Sequence, residues 1–160
     1  MCMCERTIIT KSAVQTKQVA LHLAKKVARM KSDHARVVAL TGNLGAGKTT
    51  FIQGFAAALG IKEKIQSPTF VLMKIYFLSR QKKIKHLVHI DAYRIETSSE
   101  MEHLGLRDLL EDQDAIILIE WADRVKKLLP RDTIWTMFEH GKKLNERSIA
   151  IKIFQKLPRN

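Results

Sequence analysis

Gly42-Asn43-Leu44-Gly45-Ala46-Gly47-Lys48-Thr49 is the stretch on which the reading of this sequence turns. It satisfies the pattern G-x-x-x-x-G-K-S/T, and its neighbours give that pattern a structural context. Upstream, Arg36 to Thr41 (RVVALT) is a β-branched run without alternation, as expected of a strand buried on both faces of a parallel sheet. Downstream, KTTFIQGFAAAL from Lys48 reads as a helix, with Gly60 where a left-handed C-terminal cap belongs. Strand, glycine loop and helix in that order make a phosphate cradle. Successive backbone N–H groups face one anion, glycines allow its close approach, and the helix N-terminus adds partial positive charge. Lys48 can reach the β- and γ-phosphates, and the Thr49 hydroxyl can ligate the magnesium that accompanies them. Binding of a nucleoside triphosphate is the strongest inference the residues carry.

Such a loop needs a second group on the magnesium side, usually an acid at the end of a neighbouring buried strand. The run AIILI (Ala115 to Ile119) delivers Glu120 to that position; the plainer alternative is a strand-end carboxylate paired with Arg124 or capping the next turn. Trp121 can flank the nucleotide, line a protein interface or anchor the core. In His89-Ile90-Asp91-Ala92-Tyr93-Arg94, alternation puts His89, Asp91 and Tyr93 on one side, so Asp91 is placed to orient water or the metal shell. Asp91 as a turn cap, Tyr93 in the core and His89 satisfied by backbone stand equally open. Arg94 either neutralises charge on phosphate or pairs with the acids that follow it. Ser67-Pro68-Thr69-Phe70 follows the loop helix, where nucleotide hydrolases keep a hydroxyl that senses the γ-phosphate, and Thr69 is the candidate. A plain proline turn entering a strand is the alternative.

The remaining segments read as ordinary α/β structure. Thr16 to Met30 is an amphipathic helix with Thr16 as its N-cap. Phe70 to Leu78 and Ile84 to Ile90 form a hairpin across the basic turn SRQKK, and Ser99 with Glu102 makes a capping box opening a helix to about Leu110. Pro130 ends the short segment after Glu120; Ile134 to Phe138 and Ser148 to Phe154 are strand-like, joined by EHGKKLNER. The expected fold is α/β: one P-loop NTPase domain over residues 1–160, a central mixed sheet flanked by helices, with residues 1–10 frayed.

Composition agrees with one globular domain, since 46% of the 160 residues are hydrophobic and 28% charged. The longest aliphatic run, AIILI, is far short of the roughly 20 residues that span a bilayer, and charged Glu5 and Arg6 interrupt any secretory signal. A cytoplasmic protein with no membrane segment is expected. Cys2 and Cys4 build neither a disulfide framework nor a zinc site and are read as reduced and idle. The net charge of +12 favours acidic or polyanionic partners, yet residues 91–140 carry −6, an acidic block inside a basic chain. No N-K-x-D guanine-reading element, arginine-rich lid or aromatic RNA platform is visible.

Four motifs in order, GNLGAGKTT, SPTF, HIDAYR with the downstream LGLRDLL, and LIEW, resemble the TsaE family. That family comprises small bacterial P-loop ATPases required for threonylcarbamoyladenosine formation beside the tRNA anticodon. The resemblance covers about residues 16–130. It implies ATP in the loop Leu44, Gly45, Ala46, Gly47, Lys48, Thr49 and Thr50, magnesium on Thr49 and Glu120, and functional weight on Thr69, Asp91 and Trp121. Contact of the base near Thr16 and of the phosphates with Arg147 is a weaker implication. Asn43 stands where the family usually has an acidic residue, which leaves the cradle intact. The resemblance further implies an accessory ATPase that acts on a heterodimer of the threonylcarbamoyl transferase and its inactive paralogue, of TsaD/TsaB type, and meets tRNA through that complex.

Overall fold

The computed structural model describes residues 2–79 and 83–155, with side chains described from Cys4 to Phe154. Strand β1 (Cys2–Thr10) leads into helix α1 (Ala13–Arg29), then β2 (Arg36–Gly42) and α2 (Lys48–Ala58). A hairpin of β3 (Met73–Phe77) and β4 (His86–Asp91) follows, then two short helices, α3 (Ser98–His103) and α4 (Leu106–Glu111). Strand β5 (Ala115–Glu120), a 3-10 helix (Ala122–Leu128), β6 (Ile134–His140) and β7 (Arg147–Gln155) complete the described chain. One mixed sheet holds all seven strands in the order β1-β7-β6-β2-β5-β4-β3. Its centre is parallel, β2 lying between β5 and β6 with β4 on the far side of β5, while the outer pairs are antiparallel.

The unalternating runs sit where they must, at the centre of the sheet with helices on both faces. All six residues of β5 are buried, as are the first five of β2. Alternate residues divide between two cores: Val38, Leu40 and Leu118 pack with α1 and α2, whereas Val37, Ala39 and Ile117 pack with α3, α4 and the 3-10 helix. Each fully buried Leu, Ile or Phe stabilises the fold by about 1.5–3 kcal/mol. Helices α1 and α2 touch so closely that a Cβ on Gly54 would lie 2.6 Å from the Lys17 Cα. Only glycine fits there.

Several expectations are corrected. Residues 2–10 are not frayed: β1 pairs with β7 along its whole length, Ile8 opposite Ile149 and Thr10 opposite Arg147. The strand covers the otherwise open edge of β7, and Glu5 meets Lys152 at 3.4 Å. Cys4 is an exposed free thiol on it. Helix α1 begins three residues before Thr16, because the Ser12 hydroxyl accepts from the Gln15 N–H and caps it. The capping box is Thr97 with Glu100, not Ser99 with Glu102, and the helix it opens breaks at Leu104 and left-handed Gly105 before Leu106. The first hairpin strand spans only Met73–Phe77, since a turn bonded to the Pro68 carbonyl occupies residues 70–72. Of the turn SRQKK, residues 80–82 lie outside the described residues.

Candidate functional site

The phosphate loop leaves the end of β2 at Gly42, where the chain turns with φ 130° and a Cβ would lie 2.2 Å from the Phe138 carbonyl oxygen. Gly47, also left-handed, is the N-cap of α2 and offers no side-chain cap, so the N–H groups of the first turn are open to an anion. Two contacts brace the loop from β6 and β7: His140 Nε2 lies 3.3 Å from the Leu44 carbonyl, and Arg147 donates to the Gly45 carbonyl at 3.3 Å. Arg147 therefore adjoins the loop. Thr16 does not; it is buried in α1 with its hydroxyl 2.9 Å from that of Thr10, and it does not line the cleft.

Lys48 is held back over the loop. Its Nζ donates to the carbonyls of Gly42 at 2.6 Å and Asn43 at 2.9 Å and stands 4.0 Å from the centre of the Trp121 ring. Burial pushes its pKa below the ordinary lysine value, opposed by the nearby charges of Glu120, Asp91 and Asp123. The amine is thus a poorly solvated cation whose present partners are dipoles and a ring face, and a phosphate would offer it full charge.

Glu120 ends β5 and Asp91 ends β4, side by side in register, with Leu40 of β2 on the other flank of Glu120. Both carboxylates are buried. Thr49 Oγ1 donates to Glu120, 3.1 Å from Oε2 and 3.3 Å from Oε1. Arg124 does not pair with Glu120; it donates to the Ile95 carbonyl at 3.0 Å. A hydroxyl and a carboxylate abutting at the start of α2 are the hard oxygen ligands that magnesium takes. Among the described residues no three His, Cys, Asp or Glu side chains gather as a metal cage. The pair therefore suits an ion whose other ligands come from phosphate and water, and the residues fit magnesium.

Asp91 gathers the second motif. Its Oδ2 accepts from Ser67 at 2.5 Å and from Thr69 at 2.6 Å, and its Oδ1 accepts from the Tyr93 N–H at 2.9 Å. A single carboxylate thus fastens the segment after α2 to the end of β4. Leu72, with φ 63°, turns the chain from that segment into β3. Tyr93 lies 5.1 Å from Trp121 ring to ring, and the two form an aromatic wall. Together with Lys48, Thr49, Thr50, Ser67, Thr69, Asp91 and Glu120 they line a cleft of about 350 Å³ that also reaches Leu44, Gly45 and Gly47. Ala46 is buried behind it. Arg94 is directed elsewhere, onto the Phe70 ring at 4.7 Å.

Three residues of the site have partners or places that the sequence leaves open. Ser67 belongs to SPTF, but no local pattern marks it as a partner of Asp91. Tyr93 was equally consistent with the core. His89 is wholly buried with Nε2 2.8 Å from Glu120 Oε1, a contact between strands 31 residues apart; alternation placed it beside Asp91 and was silent on its partner.

A mixed sheet, parallel at its centre, with a glycine loop between β2 and α2 and a strand-end carboxylate facing that loop, defines an α/β protein of the P-loop NTPase fold. Residues 10–149 match the family model described as "Threonylcarbamoyl adenosine biosynthesis protein TsaE". The chain belongs to the TsaE family. It is 39% identical over 113 residues to the tRNA threonylcarbamoyladenosine biosynthesis protein TsaE of Bacillus subtilis, covering 69% of this chain and 67% of that protein. Identity to the Aquifex aeolicus protein of the same name is 31% over 145 residues, 89% of this chain and 94% of the relative. The crystal structure of Bacillus subtilis YdiB superposes with a TM-score of 0.75 at 29% identity, over 97% of this chain and 89% of that one. The family read from the four motifs is borne out.

Proposed function

We propose that this chain binds and hydrolyses Mg-ATP to support threonylcarbamoyladenosine modification of tRNA next to the anticodon. It works in the cytoplasm as an accessory ATPase on the threonylcarbamoyl transferase and its inactive paralogue, a TsaD/TsaB-type heterodimer, and meets tRNA through that complex. The names of its relatives support the pathway. No helix among the described residues is long and apolar enough to cross a membrane. The observation that carries the ATPase reading is the contact of Thr49 with Glu120 beside the open first turn of α2.

In this reading the amides of Leu44 to Thr50 receive the phosphates, and Lys48 exchanges the Gly42 and Asn43 carbonyls for β- and γ-phosphate oxygens. Thr49 and Glu120 would hold magnesium, which when bound neutralises charge on those oxygens. Arg147, already bonded to the loop backbone, stiffens the cradle and lends it positive charge. Asp91 orients the attacking water, and Thr69 carries the state of the γ-phosphate to the segment it shares with Ser67. Trp121 and Tyr93 close the side of the cleft and restrict water. Turnover by the isolated chain is slow, because among the described residues no arginine lines the cleft to meet charge developing on the γ-phosphate.

Reconstituted tRNA modification tests the proposal. With the transferase pair and tRNA, omission of this chain or use of Lys48→Ala limits the product to about one round, whereas the wild type restores repeated turnover. Equal product in all three reactions, or brisk ATP hydrolysis by the chain alone that the transferase pair leaves unchanged, would defeat it.

A further inference from the structure

We infer that His89 is a positioning residue for Glu120: its Nε2–H fixes the carboxylate in the orientation from which, with Thr49, it receives magnesium. This rests on the Mg-ATP reading above and adds to it the group that holds the metal-side acid in place.

The core contains a polar misfit. On the α2 side of the sheet, β4 and β5 present Leu87, Ile116 and Leu118, all fully buried and apolar. His89 lies on that side, 0% exposed and opposite Leu118 in register. An aliphatic side chain would fill the space without burying a polar ring. The ring instead reaches one pair further along the sheet, 2.8 Å from Glu120 Oε1.

Chemistry fixes the direction of that bond. An ionised carboxylate only accepts, so Nε2 carries the hydrogen. The other ring nitrogen, Nδ1, is buried with no hydrogen-bond partner among the described residues. Leaving a buried ring nitrogen unpaired costs stability. Nε2 is the ring nitrogen that meets a protein group, which marks the contact with Glu120 as the reason for a histidine here.

The bond also has a use that Thr49 cannot supply. Thr49 would itself be a ligand of the ion, so it cannot serve as an independent donor that positions Glu120. The hydrogen bond from β4 comes from a wholly buried side chain that is not a ligand of the ion. A glutamate has three side-chain torsions, and a fixed donor on one oxygen leaves the other presented to the cleft. Partners of this kind behind a metal ligand change metal affinity by about 10–100-fold.

The test separates metal affinity from packing and from nucleotide binding. Free manganese is counted by electron paramagnetic resonance while Mn2+ is titrated into protein saturated with a nonhydrolysable ATP analogue. Metal-free nucleotide affinity is measured by displacement of a fluorescent analogue. His89→Met, similar in length but without a donor, weakens Mn2+ binding about 10-fold or more and leaves metal-free nucleotide affinity within twofold. His89→Gln, whose amide N–H reaches the place of Nε2, recovers most of the loss. A folded His89→Met with wild-type Mn2+ affinity would overturn the inference, and so would equal losses in the Met and Gln variants, which would assign the effect to packing. If His89→Met does not fold, His89→Asn, polar but too short to reach Glu120, takes its place against Gln with the same outcomes. Absence of nucleotide-dependent Mn2+ binding in the wild type would instead remove the Mg-ATP reading and the positioning role with it.

Discussion

Thr49 and Glu120 stand 71 residues apart in sequence and meet at 3.1 Å, where the first turn of α2 faces the end of β5. The loop supplies one oxygen and the neighbouring strand the other. A hydroxyl and a carboxylate abutting beside the glycine loop are the oxygen ligand types that a divalent cation takes.

Glu120→Gln keeps the shape and an acceptor for Thr49 while removing the charge. Magnesium-dependent strengthening of ATP binding falls about 10-fold or more, and metal-free binding changes little. Calorimetric titration with and without magnesium checks this; an unaltered magnesium effect would show that the carboxylate does not face the ion.

Lys48→Ala weakens nucleotide binding by about 10–100-fold, the equivalent of one charge-assisted phosphate contact at roughly 1.5–3 kcal/mol. The same lysine stands over the Trp121 ring, so ATP that draws it away changes the emission of that indole. Trp121→Phe, which leaves Trp135 as the remaining tryptophan, abolishes the fluorescence response to ATP.

Gly42→Ala destabilises the fold by at least about 2–3 kcal/mol, because the added Cβ meets the Phe138 carbonyl in a backbone conformation that L-residues avoid. Urea unfolding measures it. A loss under about 1 kcal/mol would mean that β2 and β6 can separate at little cost.

The capping box gives a pH dependence of known sign. Hydrogen bonds from the Thr97 backbone and hydroxyl, with the Glu96 N–H, hold the Glu100 pKa below its ordinary value. A carboxyl depressed in the folded state contributes stability that is full above its unfolded pKa and is lost as pH falls through the lower, folded value. Glu100→Gln therefore flattens the acid limb of the stability curve and leaves the slope at neutral pH unchanged. Thermal unfolding across pH 3 to 7 reads the difference, about four pH units being enough to span the transition.

Local signals carried much of the molecule into the sequence. The loop Gly42 to Thr49, the run AIILI and the β6–β7 pair could be read because each depends on neighbours in the chain: glycine geometry, burial on two faces, or a hairpin connection. Element starts were less legible where several capping residues lie close together. Ser12 and Thr16 both suit an N-cap, as do Thr97 and Ser99, and the choice falls to whichever hydroxyl the packed helix brings to its own N–H groups. Residues 2–10 gave almost no strand signal, since an edge strand needs little beyond a free edge to pair with and β7 provides it.

By itself, the sequence determined that this protein has a phosphate loop between a buried strand and a helix, two acids at strand ends and the four motifs of its family. Each of these is written in adjacent residues. Tertiary structure decided which of those residues act together: Ser67 and Thr69 on Asp91, Lys48 over Trp121, and His89 and Thr49 on Glu120. Parallel strands are joined through long crossovers, and their register is set by packing on both faces of the sheet. A shift of one residue in β4 against β5 would turn His89 and Asp91 away from Glu120, and no local pattern specifies that register.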